Sequence, residues 1–225
     1  MLQLNNLSIK RNKNLIINNA SALVEKGSFI AITGPNGTGK STLLTTIAGL
    51  HQPSAGSICL GNIDITQQSA KQRARSISLL HQDPTKGTIG SLTVEENLAL
   101  AIQKGASSSL KNGLKQLATH PIMATLRQLF TNHERLLKQE VCTLSGGQRQ
   151  LLAAIIATAS RPDVLLMDEP TAALSPAAAK TLMDFIESYR LQNQVTVLVV
   201  THATNVAAHN YSAIWQVCDG SISVI

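Results

Sequence analysis

The chain has 225 residues, a formal net charge of +6 and only 3% aromatic residues. That length suits one large α/β domain with a substantial core and room for an inserted subdomain, and the shortage of rings argues against a base-stacking platform for nucleic acid. Cys59, Cys142 and Cys218 have neither disulfide-framework nor metal-ligand spacing, no apolar run approaches the ~18 residues of a membrane-spanning helix, and the first residues lack the basic-then-apolar layout of a signal peptide, so a soluble protein in a reducing compartment is expected.

The basic residues are scattered, with small clusters at Lys10, Arg11 and Lys13 and at Lys71, Arg73 and Arg75. They suit a solvated surface first, with a polyanion or anionic headgroups as alternatives. Residues 1–33 read as β-rich. Leu2–Leu4 and Leu7–Ile9 alternate apolar and polar, Leu15–Ile17 and Ala22–Val24 are short strand candidates, and Glu25-Lys-Gly27 is a turn. Ser28–Thr33 reads as a buried strand, and Ser41–Ala48 as a helix stopped by Gly49.

Between that strand and helix lies Gly34-Pro-Asn-Gly-Thr-Gly-Lys-Ser41, which fits G-x-x-x-x-G-K-[ST]. A triphosphate packs several negative oxygens into a small volume, and a glycine-rich turn lets successive backbone N–H groups point at them. Lys40 adds a point charge at the β- and γ-phosphates, and the Ser41 hydroxyl is placed for Mg²⁺. The helix N-terminus then faces the phosphates.

Further along, Ser57–Leu60 and Ser76–Leu80 read as strands, the second running into His81-Gln-Asp-Pro84. From about Pro84 to Leu144 the texture turns helical. Thr93–Ile102 has a Thr cap and an acidic first turn, and Leu110–Leu137 is interrupted near Pro121. Leu144-Ser-Gly-Gly-Gln148 opens a helix running from Gln148 to Ala159; a hydroxyl, two glycine amides and a helix N-terminus make a second anion site. Val164–Asp168 is a continuously apolar strand with Asp168 and Glu169 at its C-terminal edge, where α/β folds bind ligands. Asp168 suits Mg²⁺, and Glu169 suits holding a water and taking its proton. Ala177–Tyr189 reads as a helix, Val195–Val200 as a second buried strand, and Tyr211–Ile225 as two short strands around Asp219-Gly220.

These motifs, in this order, resemble the ATP-binding subunit of ABC transporters over the whole chain. Gly34–Ser41 matches the family's Walker A motif, Leu144–Gln148 its signature, and Val164–Asp168 its Walker B motif with Glu169 as base. The resemblance implies an α/β fold: a P-loop NTPase core with an antiparallel β-subdomain and an inserted α-helical subdomain. Residues 1–83 and 160–225 would form the β-layer and core, and 84–159 the helical subdomain, within a single domain spanning 1–225. It implies ATP and Mg²⁺ as cofactors. The cradle would comprise Gly34, Pro35, Asn36, Gly37, Thr38, Gly39, Lys40, Ser41 and Thr42, with Ser145, Gly146, Gly147 and Gln148 closing over the nucleotide of a second subunit. Ser41, Gln82 and Asp168 would hold the metal, and Lys40, Gln82, Glu169 and His202 would serve hydrolysis. Partners would be transmembrane permease subunits, a second ATP-binding subunit and a solute-binding protein, at the cytoplasmic face of the inner membrane, with no nucleic acid.

Two departures stand out. The family's adenine-stacking aromatic falls at Arg11, and residues 1–28 contain no Phe, Tyr or Trp; Arg11 either lays its guanidinium on the base or is a solvated charge. The D-loop reads Ala172-Ala-Leu-Ser175, ending in Ser where the family usually has Asp. Residues 82–101 and Ala157-Thr-Ala159 resemble ATPases of importers for amino acids and related solutes, which implies import of such a solute. A soluble ABC-type ATPase and an exporter subunit are the alternatives; a P-loop GTPase would need an N/T-K-x-D motif that the chain lacks.

Overall fold

The computed structural model describes residues 1–12, 14–103, 109–201 and 210–225. Its chain falls into two units. The first takes residues 1–79, 163–169 and 189–225, and the second takes 80–162 and 170–188.

The first unit begins with β1 (Leu2–Arg11) and β2 (Asn14–Val24), paired antiparallel. Leu2, Leu4, Leu7 and Ile9 are all buried, although Leu4 and Leu7 are three residues apart and a regular strand would put them on opposite faces. The register shifts between them, and Asn6 adopts a left-handed φ of 47°. This bulge returns Leu7 to the core face. Ser21 holds it, since its hydroxyl accepts from the Asn6 amide at 2.9 Å and donates to Asn6 Oδ1 at 3.0 Å. The two strands expected at each place are therefore single strands with irregular register. With β4 (Ala55–Leu60) and the two-residue β5 (Ile63–Asp64) they form an antiparallel sheet ordered β2-β1-β4-β5.

The second sheet carries the core. Its order is β10-β9-β3-β8-β7-β6, built from β3 (Phe29–Thr33), β6 (Ile77–Leu80), β7 (Val164–Asp168), β8 (Thr196–Val200), β9 (Ala213–Cys218) and β10 (Ser221–Val224). β3 runs parallel to both β8 and β9, and β7 runs parallel to β8. Every residue of β3 and β8 is buried, as continuously apolar strands in a two-sided parallel sheet must be. Ile30, Ile32, Leu166, Leu198 and Trp215 join Leu43, Leu44 and Ile47 of helix α1 (Lys40–Ile47) in one apolar cluster.

The far end of α1 is held by a residue expected, as part of a basic cluster, on a solvated surface; the structure corrects that by burying it. Arg73 closes a four-residue helix, α2 (Ala70–Arg73), and is 2% exposed. Its guanidinium donates to the carbonyls of Thr46 (2.8 Å), Ile47 (2.9 Å), Thr66 (2.7 Å) and Gln68 (3.2 Å). Two of these are carbonyls of the last turn of α1, where a cation also opposes the helix dipole. Burial pulls the Arg73 pKa below its ordinary value, with Asp64 acting in the opposite direction.

The second unit is helical: α3 (Val94–Ala101), α4 (Leu110–Leu117), α5 (Ile122–Leu129), α6 (His133–Leu137), α7 (Gly146–Ala159) and the part of α8 (Pro176–Asn193) that runs through Ser188. Thr93 caps α3 with a full capping box, its hydroxyl accepting from the Glu96 amide while Glu96 accepts from the Thr93 amide. The run 110–137 breaks twice, at Pro121 as expected and again around Asn132. The division of the chain differs from the expected 84–159. Residues 170–188 also cluster with the helices, and a Cβ at Gly147 would lie in ordinary contact with them, 3.6 Å from Ala178 and 3.9 Å from Leu174.

Candidate functional site

In the first unit the chain turns from β3 into α1 through Gly34–Gly39, with left-handed φ at Gly34 (141°), Gly37 (83°) and Gly39 (98°). At two of these positions space as well as backbone demands glycine. A Cβ on Gly34 would run into the Val217 carbonyl oxygen, and one on Gly39 into Cγ2 of Ile16. Gly39 is the residue before the helix, so the first amides of α1 have no side-chain cap. Four such N–H groups open toward whatever lies in front of the helix.

Lys40 is 6% exposed, and its ammonium donates to the carbonyls of Gly34 and Pro35, both at 2.8 Å. Thr38 Oγ1 also donates to Pro35, at 3.0 Å. The loop is thus closed on itself around a cation, with Pro35, Asn36 and Gly37 exposed and Thr42 buried at the first turn of the helix.

Ser41 and Asp168 are far apart in sequence and meet here. The Ser41 hydroxyl donates to Asp168 Oδ1 at 2.8 Å. Asp168 is the last residue of β7, and Glu169 follows with φ 44° and its amide donating to the Val200 carbonyl at 3.2 Å. A left-handed φ on a non-glycine residue costs about 1–3 kcal/mol and tends to occur where a side chain must be aimed. Hydroxyl and carboxylate oxygens within one hydrogen bond of each other suit a small hard cation such as Mg²⁺, which is usually held by one or two protein oxygens plus phosphates and water. Among the described residues there is no group of three or more His, Cys, Asp or Glu that could hold a metal ion.

Arg11 ends β1, exposed and opposite Asn14 in the ladder. The half-buried Ile16, which touches the loop at Gly39, was missed from sequence; its position beside the core residue Ile17 gave no signal. His202 lies outside the described residues. The strand before it ends at Val200, and the Thr201 amide donates to the Ile32 carbonyl at 3.1 Å.

In the second unit Ser145 is the N-cap of α7. Its hydroxyl accepts from the Gln148 amide at 3.2 Å, and the Gln148 side chain accepts from the Ser145 amide at 3.0 Å. The Gln148 side chain therefore serves the cap, while Ser145 and Gly146 stay exposed and Gly147 is half-buried. Gln82 is exposed just after β6. Ser175 accepts from the Ala178 amide at 3.4 Å, which makes it the cap of α8 in this chain.

Comparison with known proteins agrees with this geometry. The family model described as "ABC transporter" matches residues 17–172. The tyrosine transport ATP-binding protein of Clostridioides difficile (strain R20291) is 40% identical over 207 residues, covering 90% of this chain and 82% of that protein. The thiamine import ATP-binding protein ThiQ of Escherichia coli (strain K12) is 34% identical over 203 residues, covering 90% and 82%. Among solved structures, a dimeric ATP-binding cassette in a post-hydrolysis state bound to ADP and Pi superposes with a TM-score of 0.82 at 30% identity, over 100% of this chain and 98% of that one. The chain therefore belongs to the ABC transporter family, as one of its ATP-binding, ATP-hydrolysing subunits.

Proposed function

We propose that this subunit powers import of an amino acid or a related small organic solute through separate permease subunits, working peripherally at the cytoplasmic membrane face. The relatives named for tyrosine, thiamine and methionine transport support this reading. No helix among the described residues is long and apolar enough to cross a membrane, so the span would come from other chains.

The observation that carries the mechanistic part is the contact of Ser41 with Asp168. In the proposed site these two residues would hold Mg²⁺, with Gln82 the further ligand that the family resemblance implies, and the ion would supply charge neutralisation at the phosphates. The backbone of residues 34–39 and the start of α1 cradle the phosphates. A triphosphate competes with the Gly34 and Pro35 carbonyls for the Lys40 ammonium. Glu169 orients the attacking water and accepts its proton, and His202 contacts the γ-phosphate. Ser145 and Gly147 close over the nucleotide of a second copy, so two subunits share two sites. A tagged chain co-expressed with its genomic neighbours is expected to purify with a polytopic membrane protein. Recovery with soluble assembly or repair factors instead would overturn the transport reading.

The base is read by fewer groups than usual. With no ring in residues 1–28, Arg11 is the group proposed to lie over the adenine. Stacking on a base is worth roughly 1–3 kcal/mol, so Arg11→Ala is expected to weaken ATP binding about tenfold or more. Arg11→Tyr should restore it, and wild type should bind ATP and GTP alike, since a planar cation has no preference between purine edges. Titration of the three proteins with both nucleotides checks this; an unchanged Arg11→Ala removes Arg11 from the site.

A further inference from the structure

The second unit contains a polar connection that the mechanism above does not use. Gln150, on the buried face of α7, is 2% exposed. Its Nε2 donates to the His81 carbonyl at 3.2 Å, across 69 residues of sequence. His81 is the residue immediately before Gln82. The other half of the same amide, Oε1, is buried with no partner among the described residues. A buried amide that satisfies only one of its two ends is a poor way to fill core space, and a methionine would fill the same volume without a polar atom. What the amide supplies is the hold on His81.

The neighbouring residue completes the connection. Arg149 Nη2 donates to the carbonyls of Cys142 (3.0 Å) and Leu144 (3.2 Å), the last turn before Ser145. Just beyond Gln82, Asp83 accepts from the Thr85 amide at 2.9 Å and the Thr85 hydroxyl at 2.7 Å, capping the short turn Pro84–Gly87. Those hydrogen bonds, with Lys86 and then Arg149 adding their charge, hold the Asp83 carboxyl below the usual carboxylate range. Gly87 in turn packs toward α7, where a Cβ on it would be 3.9 Å from that of Ala153. Two consecutive residues of α7 thus reach in two directions, Arg149 to the signature turn and Gln150 to the Gln82 segment.

We propose that Arg149 and Gln150 strap the signature turn to the Gln82 segment so that Ser145 and Gln82 move as one piece, with Gln150 acting as a positioning residue for Gln82. This rests on the reading of Gln82 and Ser145 given above. Gln82 would serve the nucleotide of its own subunit, and Ser145 that of the partner. A rigid link between them makes the two half-sites respond together: displacement of Gln82 displaces the signature turn, and the reverse. The link carries no role in holding nucleotide on the loop of residues 34–41.

The test compares wild type, Gln150→Met and Gln82→Ala as full-length proteins. Gln150→Met is expected to bind ATP within about twofold of wild type, because the phosphate cradle is untouched, and to lower kcat about tenfold with KM little changed. Hydrogen exchange at the amides of residues 82–87 should speed up at least about tenfold, while residues 151–159 of α7 keep their protection. Normal kcat, or unchanged exchange at 82–87, overturns the strap. So does faster exchange spread through all of α7, since that is the signature of a merely structural residue. Should Gln150→Met fail to fold, Gln150→Leu removes the donor without adding a charge, and it is read in the same way. Near-normal turnover in Gln82→Ala would instead overturn the role given to Gln82, while the exchange data still decide whether the strap exists.

Discussion

Glu169→Gln is expected to slow phosphate release by about 10²- to 10⁴-fold, the usual worth of a positioned general base, while ATP binding persists. The amide keeps the size of the side chain and its place beyond β7 but cannot take a proton from water. Two groups of the phosphate cradle have partners other than Glu169: Lys40 is held by Gly34 and Pro35, and Ser41 pairs with Asp168. The left-handed backbone at position 169 is as open to Gln as to Glu, so the fold should be unaffected. With hydrolysis stopped, two copies should stay closed around ATP, visible as an ATP-dependent shift to dimer in size-exclusion chromatography. Turnover close to wild type would remove Glu169 from the role of base.

Lys40→Ala and Ser145→Arg should separate binding in one subunit from closure by the other. Removing the Lys40 ammonium takes away a buried charge that also ties the loop together. Losing the ammonium's charge pair with the phosphates should cost roughly 2–5 kcal/mol, so ATP affinity should fall by about 30-fold or more. Ser145→Arg gives up the α7 cap, at a cost of about 1 kcal/mol, and pushes a long cation into the signature turn. Its monomer should bind labelled ATP normally, while dimerisation and hydrolysis are lost. If Ser145→Arg abolished monomer binding as fully as Lys40→Ala does, the two-copy arrangement would be wrong.

Much of the site was legible because it depends on short local rules. A strand buried on both faces reads as an unbroken apolar run, which is why Phe29–Thr33, Val164–Asp168 and Thr196–Val200 stood out. The glycine pattern gave the loop, and the end of a parallel strand gave Asp168 and Glu169. The elements that were missed lack that kind of signal. β5 is two residues long, and α2 four; only the Ser69-x-x-Gln72 capping box announced the latter, and it went unused. The phase slip at Asn6 made one strand look like two. Arg73 and Gln150 act by donating to backbone carbonyls 27 and 69 residues away, and no periodicity records a carbonyl. The place of 170–188 among the helices rests on contacts between segments distant in sequence, such as Gly147 facing Ala178, which no local pattern records.

The floor of the phosphate loop has a consequence for how the protein is made. Gly34 rests against the carbonyl of Val217, and β3, which leads into the loop, lies between β8 and β9. The loop leaves the ribosome early, but the strand that backs it is translated roughly 180 residues later, a delay of roughly 10–40 s at synthesis rates of about 5–20 residues per second. For most of that interval β3 is an apolar segment without the neighbours on either side that the finished sheet gives it, since β8 and β9 are both translated near its end. The nascent chain therefore cannot hold ATP in its final cradle until synthesis has passed Val217, and nucleotide cannot template its early folding. A chaperone that shields β3 over that interval would act before the nucleotide does.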